Sequence, residues 1–160
     1  MSAAERIRLL RRQGEHEAAL CLAVELASQE PGNAQVQYEA ACVHDYLGHE
    51  AAAVPFYLAA IDAGLSDEAL RSAYLGLGST YRVLGRYQEA LATFDEGLSK
   101  FPGAAELEVF KSMALYNVGR NREAVAGLLA VVVETSNDQT VQSYRRAIAL
   151  YAEDLDRQWR

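Results

Sequence analysis

SAYLGLGSTYRVLGRYQEALATFDEGLSKFP, residues 72–102, decides how the rest of this chain is read. Apolar and small residues recur in it every three or four positions: Tyr74, Leu77, Gly78 and Tyr81, then Tyr87, Ala90, Leu91, Phe94 and Leu98. Gly85 divides the two runs and Pro102 closes the second. This is the pattern of two amphipathic helices joined by a glycine turn and ended by a residue that cannot continue a helix. Working outward, the dividing glycine recurs as Gly14, Gly48, Gly85 and Gly119, at intervals of 34, 37 and 34 residues. After each comes a helical run that opens on a small residue: Ala19, Ala23 and Leu26; Ala53, Tyr57 and Ala60; Ala90, Phe94 and Gly97; Ala124, Leu128 and Val131. Small side chains let paired helices approach, and the bulkier residue fills the remaining gap.

The block from Arg71 to Ala104 resembles the tetratricopeptide repeat (TPR), a helix-turn-helix unit of 34 residues. Tyr74 stands where that family often has Trp, and Gly78 stands at its small crossing position. The resemblance implies an all-α chain, a TPR-type α-α superhelix of about four repeats at residues 1–32, 33–67, 71–104 and 105–136, with a capping helix at 137–160. These form a single domain over 1–160. The outer units are more degenerate: Ile7 stands where a small residue is expected, and His44 replaces the usual aromatic. The longer interval places extra residues near Gly64–Leu70, where Gly64 suits a helix stop and Ser66 a helix start. The terminal stripe Val141, Tyr144, Ile148, Tyr151, Leu155 and Trp159 predicts one continuous amphipathic helix covering the apolar run around Leu128–Val133.

A chain of 160 residues buries about 70% of its unfolded surface without staples. Its formal charge of −7 argues against nucleic acid or an anionic membrane as partner and mildly favours a basic ligand. No apolar run is long enough for a signal peptide or a membrane span, and Cys21 and Cys42 read as reduced fillers, so a cytoplasmic protein is expected. The three histidines have no ligand spacing, and phosphate loops and nucleophile elbows are lacking. Neither catalysis, a metal nor a cofactor is therefore expected.

The expectation is a non-catalytic scaffold that binds another protein or a peptide. Its alternatives are a regulatory protein sensing a short peptide or small ligand, and a homodimerising assembly subunit. In the TPR family the first helices of successive units line a concave groove, which here implies Arg8, Arg11, Arg12, Tyr38, Asp45, Tyr46, Ser79, Arg82, Met113, Tyr116 and Asn117. On a helical wheel the three arginines lie opposite Ile7 and Leu10. They are expected to be solvated and partnered by Glu5, Glu15 and Glu17, with Arg11 dispensable for stability; the functional reading is a carboxylate-binding end of the groove. The family's clamp for chaperone tails is not reproduced. The exposed stripe ends in Tyr151, Leu155 and Trp159, a candidate dimer contact.

Overall fold

The repeated glycine marks the same turn each time. Gly14, Gly48, Gly85 and Gly119 all have φ between 74° and 79°, a conformation L-residues rarely adopt. At Gly48 the glycine N–H donates to the Asp45 carbonyl (3.0 Å) and the His49 N–H reaches back to the His44 carbonyl (2.8 Å). This double closure satisfies carbonyls the helix end would leave orphaned. The same pair of bonds recurs around each of the other three glycines.

The computed structural model describes residues 1–158. Among them the regular structure is helical: α1 (Ala3–Arg12), α2 (His16–Gln29), α3 (Ala34–Tyr46), α4 (Glu50–Ala63), α5 (Asp67–Val83), α6 (Tyr87–Lys100), α7 (Ala105–Asn117), α8 (Asn121–Thr135), α9 (Gln139–Ser143) and α10 (Arg145–Glu153). The extra residues near Gly64 go into α5, which has 17 residues where α3 and α7 have 13. Gly64 ends α4 at a φ of 88°, and Ser66 holds the N-cap position of α5 in extended conformation, without a side-chain cap bond. Pro55 lies within α4 on its exposed side.

The chain forms two compact units, one of Met1–Arg86 and one beginning at Tyr87. In the first, Ala4, Ile7, Ala19, Ala23, Leu26, Val36, Ala40 and Val43 make a buried cluster, and Ile7 is fully enclosed in the place where a small residue was expected. Further along, Ala53, Tyr57 and Ala60 of α4 and Ala73, Tyr74 and Leu77 of α5 are buried. The two helices come close at Gly76, where a Cβ would stand only 2.5–2.8 Å from the Tyr57 ring and hydroxyl. His44 takes the place of an aromatic side chain: it is buried and stacks on Phe56, with centroids 5.1 Å apart and planes at 16°.

In the second unit Ala90, Leu91, Phe94, Leu107, Ala114, Leu115, Ala124 and Val133 are buried, Phe94 completely. Gly127 lies directly over Ser112, so α7 and α8 meet at another small residue. The terminal segment is two short helices rather than one: the chain breaks at Tyr144, which ends α9 and begins α10. α10 packs on α8, yet Val125, Leu128 and Val132 of α8 remain 40–43% exposed. Leu128 is therefore not the gap-filling residue that its register predicts. The broken cap covers one side of α8 and leaves this one open.

Candidate functional site

α1 starts from a reciprocal cap. The Glu5 N–H donates to Ser2 Oγ (3.2 Å), and the Ser2 N–H to Glu5 Oε2 (2.6 Å). With the helix so anchored, Ala4 and Ile7 face the core, and Arg8, Arg11 and Arg12, at i, i+3 and i+4, share the opposite side.

Two of these arginines are not the solvated face expected of them, while Arg12 stays exposed. Glu39 of α3 lies among Val36, Ala40 and Val43 with its side chain only 3% exposed, and its carboxylate receives two of them. Arg11 Nη1 donates to Glu39 Oε2 at 2.7 Å, and Arg8 Nε stands 3.1 Å from Oε1, off the hydrogen-bond line. Gln35 Nε2 donates to the same Oε1 at 3.3 Å. The wheel placed Arg8 and Arg11 correctly outside the core of α1, but α3 brings a buried anion to meet them. Arg11 is thus paired with a buried carboxylate, which argues against its being dispensable for stability. Glu5 is engaged with Ser2 rather than with the arginines.

Arg8, Arg11 and Arg12 join His16 and Tyr46 around a recess of about 340 Å³. The His16 ring lies against Tyr46, centroids 4.1 Å apart, and its Nδ1 is buried without a hydrogen-bond partner. Tyr46 is otherwise open, at 64% exposure. Three guanidiniums against one buried carboxylate leave a locally cationic hollow on an acidic chain.

The other groove candidates of the first unit are placed differently. Asp45 faces inward: Tyr57 Oη donates to it at 2.7 Å and Thr80 Oγ1 at 2.9 Å, so its half-buried carboxylate ties α3 to α4 and α5. Burial raises its pKa, against the lowering effect of both donors. Tyr38 is half-buried beside Tyr57, ring centroids 6.2 Å apart, and burial pushes its phenol far up. Burial likewise raises the Cys42 thiol. Ser79 and Arg82, on α5, are half-buried. In the second unit Met113, Tyr116 and Asn117 occupy one end of α7, with Tyr116 67% exposed. Tyr151 and Leu155 are exposed, and Trp159 lies outside the described residues.

Glu39 behind the recess and His16 in its wall are not among the residues that the sequence singles out. Glu39 carried a signal, being a lone charge at helical spacing between Val36 and Val43; His16 carried none, since its role depends on Tyr46 from another helix. Among the described residues no group of three or more His, Cys, Asp or Glu side chains could hold a metal ion. Nor is any helix long and apolar enough to cross a membrane.

The comparisons agree with this architecture. Among solved structures, the TPR protein YrrB, described as having an unusual peptide-binding site, superposes with a TM-score of 0.72 at 21% identity, covering 98% of this chain and 78% of that one. A MamA double mutant (MamA RS-1 ArsTM) superposes at 0.66 with 16% identity, over 99% of both chains. At such identities they speak for the fold alone. No curated protein matches the sequence. The family model for the tetratrico peptide repeat matches residues 34–155, and the chain belongs to that family.

Proposed function

We propose that this protein is a non-catalytic peptide-binding scaffold whose ligand contacts the α1–α3 face of the first unit. The fold is one that generally serves protein or peptide binding. What carries the assignment to this face is the recess of Arg8, Arg11, Arg12, His16 and Tyr46, where an exposed aromatic stands beside oriented charge. That composition suits recognition: a rigid ring contributes contact area and the guanidiniums contribute direction. Tyr38, Ser79 and Arg82 continue the contact surface along α3 and α5, while Asp45 keeps those helices in register. Met113, Tyr116 and Asn117 give α7 its own exposed contact residues. Free Cys21 and Cys42 fit a reducing compartment, the cytoplasm.

Selection of peptides from a random display library on the folded protein tests this reading. Selected peptides should converge on a motif, lose binding to Tyr46→Ala, and keep it with Leu58→Ala on exposed α4. Peptides indifferent to Tyr46→Ala would place recognition elsewhere.

A second reading is favoured by one observation, the open apolar patch of Val125, Leu128 and Val132, in a unit that also exposes Tyr151 and Leu155. A homodimer could bury it. Light scattering would then show a dimer that Leu128→Glu dissociates, and a monomer at all concentrations would remove the reading.

A further inference from the structure

The recess holds more cationic charge than the fold neutralises. Glu39 compensates one of three guanidiniums, leaving two positive charges. Arg12 is exposed and makes no ion pair among the described residues, so its donors are free for a ligand. Arg8 and Arg11 are held from behind by a carboxylate that has almost no contact with water. Much of the rotamer freedom that long side chains lose on binding is thus already lost on folding. His16, with its buried and unpartnered Nδ1, lines the same wall. A volume of about 340 Å³ exceeds the roughly 30 Å³ share of one water many times over, enough for a tetrahedral oxyanion and several waters.

We infer that this recess binds a doubly charged anionic group carried within a peptide, either a phosphorylated side chain or two adjacent carboxylates. The inference rests on the peptide-binding reading above. Charge matching selects the ligand: two uncompensated guanidinium charges are met by one dianion or by a pair of carboxylates, and forked donors suit both. A lysine-rich segment would face the same guanidiniums as like charge. Arg12 contacts the anion directly, Arg8 and Arg11 converge on it under the control of Glu39, and Tyr46 packs against the flanking peptide.

Fluorescence polarisation with three labelled peptide pools of identical randomised flanks tests this on the full chain. The central residues are phosphoserine, Asp-Glu, or Ser-Ala, each made with a free and an amidated C-terminus. At least one charged pool should bind about tenfold or more tighter than the neutral pool, with amidation immaterial, and the stronger of the two identifies the source of the charge. Arg12→Ala, which disturbs no ion pair, should lose about tenfold of that preference; Arg12→Lys should recover only part of it, and Lys100→Ala none should be lost. Equal binding of the neutral pool, indifference to Arg12→Ala, or dependence on the terminal carboxylate would each overturn the inference. If no pool binds while display-selected peptides still do, the anion proposal falls and the peptide-binding reading stands; if neither binds, both fall.

Discussion

Glu39 changes what the arginines of α1 mean. Two partly exposed guanidiniums share one buried carboxylate, so either can be lost while the other still compensates the charge. Arg11→Ala should cost about 1–2 kcal/mol, between an exposed pair and a charge-assisted buried bond. Removing both arginines strands the carboxylate, and the double variant should cost about 3–5 kcal/mol, more than the sum of its parts. Adding Glu39→Gln should restore most of that loss. Urea midpoints measure all of these, and an Arg11→Ala protein as stable as wild type would return α1 to a merely solvated helix. His44 offers a second test at this scale. Both ring nitrogens are buried without hydrogen-bond partners, and burial, followed by the nearby His49, holds the imidazole below its ordinary value near 6.5. The unfolded chain therefore takes up the proton more readily. This contribution to stability is full above about pH 6.5 and is lost as pH falls through the lower folded value. His44→Phe keeps a ring against Phe56 and removes the proton, so its melting temperature should fall less between about pH 7 and 5 than that of the wild type. Parallel curves would assign the acid sensitivity to other groups.

Between elements, the glycine turns were legible and the helix crossings only partly so. A turn is a local affair, and Gly48 with its neighbours satisfies it from within six residues. A crossing depends on which faces meet. Gly78 is the small residue the family pattern points to and it is buried, but α4 and α5 also come close at Gly76, where the Tyr57 ring leaves no room for a Cβ. Gly76→Ala gains about 1 kcal/mol of helix propensity, against an overpacking cost of about 1–3 kcal/mol. The ring and its bond to Asp45 must shift together, so the net effect should be a lower unfolding midpoint, partly rescued by Tyr57→Phe. A stabilised Gly76→Ala would mean that α4 and α5 can part without loss. The terminal stripe misled for a related reason: helical spacing persists across Tyr144, but the backbone does not. Spacing reports which residues share a face if the helix continues and is silent on whether it does. Because α10 packs on α8, deleting residues 137–160 should lower the melting temperature and promote self-association, both readable by circular dichroism and light scattering.

At the scale of the whole molecule, the family is legible through one well-formed block, because a repeat needs only one clear copy for its period to be followed outward. The binding face was less legible. Net charge averages over the chain and pointed mildly to a basic ligand, whereas the recess is a local cationic exception created when α1, α2 and α3 come together. The two scales of charge make a kinetic prediction. The screening length is about 30 Å at about 0.01 M salt and about 10 Å at 0.1 M, so at low salt an approaching anionic peptide feels the whole charge of −7, and at higher salt chiefly the arginines it is about to touch. Its association rate should therefore rise with salt over that range, the reverse of steered encounters between opposite charges, while its dissociation rate also rises as the contact pairs are screened. Stopped-flow mixing of the phosphoserine or Asp-Glu peptide separates the two rates. An association rate that falls with salt would show the local cationic field reaching beyond the acidic remainder of the protein, and one that does not change would place the encounter outside the influence of either.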